Sequence, residues 1–176
     1  MLVLTHALNR HVMTRRKHLA QVTKAQAHPY YRPYTDWLYT SPNSIFSLTK
    51  WKRMDTEYIG RYYDWEGRIA NRNAFVQWGT IHLEMIEPKI GEGVAMDWLR
   101  KRGAGIFHTG IVTDDVRNRP NDLEVVFEVK SHTQPDGSPA IIYLDTVSLL
   151  GYYVELAYRP LAEGLAARVA SPELWS

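Results

Sequence analysis

The sequence predicts one α+β domain built from two similar halves, each running strand, helix and then further strands. Three observations predict it: the order of the periodic segments, a strict alternation of apolar and polar residues before Pro88, and short echoes between the halves. With 176 residues and 45% apolar content, the chain has the length and the material for one buried core. The first half is expected to span about residues 1–88 and the second about 104–160, joined by a helix at 91–103. Residues 161–176 are expected to form a tail.

Residues 2–8 read as a short strand, and 14–26 as a weakly amphipathic helix with Leu19 and Val22 on one side, closed by His28-Pro29. From Tyr30 to Asn73 the chain carries more than half of its aromatic residues in an irregular pattern, which predicts strands and long loops. Most of these rings are expected to fill a core or a subunit interface, and a few to line a pocket. Phe75 to Glu87 reads as one strand, bounded by Asn71-Arg72-Asn73 and by Pro88. Along it Ile81, Leu83 and Met85 share one face, while Trp78, Thr80, His82 and Glu84 share the other.

Gly91 to Gly103 reads as a helix with Val94, Ala95, Trp98 and Leu99 as its apolar stripe, Arg100, Lys101 and Arg102 in its last turn, and Gly103 as its stop. Ile106 to Thr113 returns to strand. Asn118 followed by Pro120 predicts a helix start, with Leu123, Val126 and Phe127 as the buried stripe. A Gln134-Pro135-Asp136-Gly137 turn leads to strands at 140–145 and 152–158, and the tail is expected to dock loosely as a helix. Between the halves, Leu4-Thr5-His6 is echoed by Ile106-Phe107-His108, and Glu84…Pro88 by Glu155…Pro160, the latter one residue out.

Composition narrows the chemistry. Lys and Arg number 21 against 19 Asp and Glu, a net charge of +2 that is too small for a strong nucleic-acid field and favours a small-molecule substrate. The basic residues Arg10, Arg15, Arg16, Lys17 and Lys24 lack interleaved aromatics and read as a solvated helix face. The absence of cysteine removes disulfides, thiolate metal sites and cysteine nucleophiles, so any metal ligand is an N or O donor. No run reaches membrane-spanning length and the opening Met1-Leu2-Val3-Leu4 is too short for a signal core, so no membrane partner and a cytoplasmic location are expected.

Several pieces together resemble a known family. Ile81-His82-Leu83-Glu84-Met85-Ile86-Glu87-Pro88, the helix ending Trp98-Leu99-Arg100-Lys101-Arg102-Gly103, and Gly105-Ile106-Phe107-His108-Thr109-Gly110 with the strand after it are similar to methylmalonyl-CoA epimerase and related glyoxalase-like proteins of the vicinal oxygen chelate superfamily. Tyr143-Leu144-Asp145 and Gly151-Tyr152-Tyr153-Val154-Glu155-Leu156 resemble the last two strands of that family. The likeness covers residues 75–160 well and 1–74 poorly.

The resemblance implies paired βαβββ modules forming a cupped mixed sheet, the glyoxalase-like fold. It also implies one divalent metal ion (Zn, Ni, Co, Mn or Fe) held by His6, Glu84, His108 and Glu155, with His11 as the competing first-strand ligand. Two imidazoles and two carboxylates suit such an ion and leave positions for substrate oxygens. Without the family, a lone strand histidine is an ordinary polar residue and a glutamate near a strand end an ordinary solvated one.

The chemistry implied is isomerase or lyase work through a metal-stabilised enolate, with Glu155 and Glu84 as base and acid and His82 as a shuttle or substrate contact. Trp78, His82, Tyr143 and Tyr153 are the expected substrate contacts, and a homodimer is expected. An Fe(II) ring-cleaving dioxygenase and a non-catalytic binding protein are the alternatives on the same fold.

Overall fold

The computed structural model describes residues 2–7, 51–78 and 81–170. The helix expected at 14–26, the aromatic residues at 30–46 and His11 lie outside the described residues. Eight described strands form a closed barrel: β1 (Leu2–Ala7), β2 (Lys52–Tyr62), β3 (Trp65–Trp78), β4 (Ile81–Ile90), β5 (Gly105–Thr113), β6 (Val125–Val129), β7 (Ile141–Leu144) and β8 (Tyr153–Tyr158). Helix α1 (Val94–Arg102) joins the halves, α2 (Val147–Leu150) is a single turn, and α3 (Arg159–Ala170) ends the described chain.

Around the barrel the order is β1-β4-β3-β2-β6-β7-β8-β5. Each half therefore repeats one pattern: its first strand pairs in parallel with its last, and the middle strands follow antiparallel. Antiparallel pairing of β1 with β5 and of β2 with β6 joins the two halves and closes the ring. Two modules of this strand order make the glyoxalase-like α+β fold that the sequence predicts. The expected cupped sheet is curled into full closure.

The period-two rule positions the interior. Along β2 burial alternates, with even residues covered and odd ones exposed from Lys52 to Ile59. On β3 the odd residues Ile69, Asn71, Asn73 and Phe75 are buried, and on β4 Glu84 and Ile86 face the same interior. Asn71 and Asn73 correct the sequence reading. They do not bound a strand but sit in the middle of a 14-residue one. The single strand expected from Phe75 to Glu87 is instead the end of β3 and the start of β4, an antiparallel hairpin in which Trp78 pairs with Ile81.

The interior has an apolar end and a polar end. Val94, Ala95 and Trp98 of α1 pack into a cluster with Ile69, Ile86, Phe107, Phe127, Tyr143 and Tyr153. Burying an aliphatic or aromatic side chain of this size contributes about 1.5–3 kcal/mol, which fixes α1 against the barrel. Helix α1 stops as expected at Gly103, whose φ of 79° suits glycine and whose N–H donates to the Leu99 carbonyl. The helix expected after Asn118 is not formed. Turns occupy residues 116–124, and Val126, Phe127 and Val129 are buried on β6, because a stripe at 123, 126 and 127 also suits a strand covered on both faces. The tail is more firmly docked than expected, as α3 lies against β8 and β5 and buries Ala162 and Val169. No helix among the described residues is long and apolar enough to cross a membrane.

Candidate active site

The polar end of the barrel opens into a cavity of about 530 Å³ whose walls include Tyr58, Asn71, Asn73, Glu84, Tyr143 and Glu155, with α3 contributing Pro160, Leu161, Gly164, Leu165 and Arg168. A second cavity of about 60 Å³ adjoins the same two glutamates and adds His82, Phe75 and Gly110 beneath the apolar side of α3. The structure thus brings Glu84, Glu155 and His82 onto one cavity wall, from β4 in the first half and β8 in the second.

Register explains each position. Tyr143 stands directly opposite Glu155 on the β7–β8 ladder, and its hydroxyl donates to Glu155 Oε2 at 2.9 Å. On the other side of β8, Gly110 is the residue beside Glu155, so no side chain fills that place. His108, two residues earlier on β5, brings Nε2 to 2.8 Å from the same Oε2. His108 and Phe107 are fully buried, with their rings edge to face. Glu84 is reached diagonally from β3, where Asn73 Nδ2 donates to its Oε1 at 2.8 Å. Asn71 Nδ2 donates to the Tyr58 hydroxyl at 3.1 Å.

Electrostatics separate the two glutamates from an ordinary pair. Burial pushes the Glu84 carboxyl well above its usual range, and the charge of Glu155 pushes it further, against a smaller opposing effect of the Asn73 amide. Burial of the carboxyl and the neighbouring charge thus favour the neutral form of Glu84. Burial and then the charge of Glu155 also raise the Tyr143 hydroxyl, which stays a donor. Burial lowers the His82 imidazole and favours its neutral form, and its Nδ1 has no hydrogen-bond partner among the described residues. Another buried carboxylate, Glu87, is held by Lys89 at 2.7 Å and Arg72 at 3.6 Å and does not line either cavity.

The other expected site residues fall differently. On the β1–β4 ladder Thr5 stands beside Glu84 and His6 beside Met85, and on β5 the partner of Thr5 is His108. The β1–β5 ladder shifts register between Thr5 and His6, where His6 pairs with Ile106. No three His, Asp or Glu side chains among the described residues lie close enough together to hold a metal ion. Glu155 is engaged by His108 and Tyr143, and Glu84 by Asn73. His108 and Glu155 are in contact and Glu84 lines the same two cavities as Glu155, while the side chain of His6 lies outside the described ones. Tyr143 lines the larger cavity. Tyr153 instead packs edge to face against Trp98 at the apolar end. Trp78 closes β3, paired with Ile81. Tyr58 is one of the aromatic residues expected to fill a core or line a pocket, whereas sequence reasoning misses Asn71 and Asn73. Their signal was the spacing of two asparagines by two residues in a segment rich in β-formers, which a turn-forming composition obscured.

No family model matches the chain, and no curated protein matches it. Among solved structures it is similar to methylmalonyl-CoA epimerase from Mycobacterium tuberculosis, at 16% identity over 92% of this chain and 89% of that one, with a TM-score of 0.43. It is also similar to a methylmalonyl-CoA epimerase in complex with methylmalonyl-CoA and NH4+, at 17% identity over 88% and 90% of the two chains and a TM-score of 0.39. A hypothetical protein from Bacillus halodurans C-125 matches at 16% identity over 89% of each chain, with a TM-score of 0.39. At this distance no residue role passes from those proteins to this chain, and the glyoxalase-like architecture rests on the strand order.

Proposed function

We propose that the protein is an epimerase-like isomerase that moves a proton at a carbon next to the carbonyl group of a small oxygenated molecule. The observation that carries this reading is the asymmetry of two carboxyl groups on one cavity. Glu84 is held neutral by burial and by its neighbour's charge, while Glu155 accepts from Tyr143 and meets His108. A pair whose environments push one member toward the acid form supplies acid and base together at one pH. The cavity, at about 530 Å³, lies within the roughly 300–1,000 Å³ of small-molecule sites.

The steps follow from the residues. The Glu155 carboxylate, oriented by Tyr143 and His108, takes the proton from the carbon, and the electron pair moves onto the carbonyl oxygen. Neutral Glu84 then gives its proton to the same carbon from its own wall, the carbonyl re-forms, and configuration at that carbon inverts. Glu155 is left protonated and Glu84 ionised. His82, neutral and on the wall of the smaller cavity with both glutamates, carries the proton back and resets the pair.

Proton exchange in deuterated water tests this. A panel of small carbonyl compounds is incubated with the protein, and loss of the signal of the hydrogen beside the carbonyl is followed by NMR. Exchange on at least one compound is expected, falling by roughly 10² to 10⁴ in Glu155→Gln, the usual contribution of a positioned base. Undiminished exchange in both Glu155→Gln and Glu84→Gln would sink the reading. Metal content measured on the same samples separates the metal-assisted form of the reaction: there Glu155→Gln becomes metal-poor and added metal rescues it, whereas an acid–base pair alone gives a variant that is slow at unchanged metal content. Binding without exchange would mark a non-catalytic binding protein.

A further inference from the structure

The larger cavity is acidic within and carries one strong cation at its edge. Arg168, on the last turn of α3, is the only lysine or arginine among the described residues that line it, and His132 from the segment after β6 lines it too. Among the described residues Arg168 forms no ion pair. The acidic residues of the mouth are already engaged: Glu57 accepts two hydrogen bonds from Arg68, at 2.6 and 2.7 Å, and Asp55 lies 3.7 Å from Arg72. Arg159 at the other end of α3 is taken up by Asp114 and Glu163. Among the described residues Arg168 is thus an exposed guanidinium with its donors available, on a cavity that Glu84 and Glu155 also line.

That arrangement sorts a guest by its charge. A carboxylate placed beside Glu155 is repelled in a poorly solvated site, and one placed at the rim gains the planar fork of an arginine. We propose that the substrate is a carboxylate-bearing carbonyl compound, anchored by its carboxylate to Arg168 at the mouth while its reacting carbon lies between Glu84 and Glu155. This names the substrate class of the proton-transfer reading and rests on it for the inner end only. The anchor at the mouth stands or falls by binding. Because Arg168 is exposed, the grip weakens as salt rises.

The probes are 4-oxopentanoate and its methyl ester, which share a ketone with neighbouring C–H bonds and differ in the negative charge. Both are titrated by NMR into the full chain, with Arg168→Gln, Arg168→Lys and Glu155→Gln as the comparison proteins. The wild-type protein is expected to bind the acid about tenfold or more tightly than the ester, Arg168→Gln to bind the two alike, and Arg168→Lys to fall between, since a point charge keeps the attraction and loses the fork. Exchange of the ketone's neighbouring hydrogens, read in the same tubes, is expected to show the Arg168 effect in KM with kcat little changed. Equal affinity for acid and ester in the wild-type protein, no binding of either in the millimolar range, or a preference that survives Arg168→Gln overturns the anchor. If the preference depends on Arg168 but no exchange occurs, the anchor holds and the proton-transfer reading fails. If exchange depends on Glu155 and the preference is absent, the reverse is true.

Discussion

Glu84 and Glu155 line one cavity from the two halves of the chain, and the negative charge of Glu155 adds to burial in holding the Glu84 carboxyl above its ordinary range. The relationship is one of unequal partners. Glu155 meets a phenol and an imidazole, whereas Glu84 meets a single amide.

Stability should depend on pH through Glu84. Its carboxyl has an ordinary value of 4.5 and is raised in the folded protein, so the folded state binds this proton more tightly than the unfolded chain does. The contribution is fully present below 4.5 and is lost as pH rises through the folded value. Urea unfolding of the wild-type protein against Glu84→Gln should show the difference between them changing by up to about 1.4 kcal/mol per pH unit in that window, in the direction that favours the wild type at low pH. A difference that is flat with pH from 4.5 upward would mean that Glu84 is not raised.

Tyr143→Phe keeps the ring that packs against Phe127 and His108 and removes the hydroxyl that donates to Glu155. A hydrogen bond to a charged group contributes about 1.5–3 kcal/mol, and part of it is recovered through His108, so a stability loss of about 1–2 kcal/mol is expected by denaturant unfolding. Exchange activity is expected to fall about tenfold, because Glu155 loses one of the two groups that orient it. An unchanged rate would show that Tyr143 has no part in placing the base.

Gly164 faces the larger cavity from α3, and a Cβ built there meets nothing within 4 Å among the described residues. Gly164→Trp should therefore fill the mouth without straining the barrel, and the loss of a mid-helix glycine stabilises α3 by roughly a few tenths of a kcal/mol, since tryptophan is a poorer helix former than alanine. Calorimetry is expected to show an equal or higher melting temperature together with lost ligand binding. Full binding in this variant would place the entrance elsewhere.

The sequence carried the strand order well where strands have one covered face or a clear stop. The alternation on β4, the stripe and Gly103 stop of α1, and the runs of β5, β7 and β8 all reflect local periodicity, which needs no knowledge of partners. What failed needed partners. Asn71 and Asn73 resemble turn residues until Tyr58 and Glu84 lie beside them. Leu123, Val126 and Phe127 fit a helix stripe until β6 is sandwiched between β2 and β7. The place of β1 beside Glu84 and His108 depends on a register that the chain sets only when β1 meets β4 and β5.

Tyr153 shows a further limit. It shares a strand face with Glu155, which is all that parity reveals, but two residues along β8 separate the polar end of the barrel from the end that α1 fills with Trp98. Face was readable in the sequence; depth along the barrel was not.

The central claim is that Glu84 is a neutral acid beside an ionised partner, and the measurement that tests it most directly needs no substrate. The side-chain carboxyl carbon of Glu84, followed by NMR across pH in carbon-labelled protein, should titrate well above 4.5, and its midpoint should fall in Glu155→Gln as the neighbouring charge is removed. A midpoint near 4.5 in the wild-type protein, unmoved by Glu155→Gln, would contradict the account.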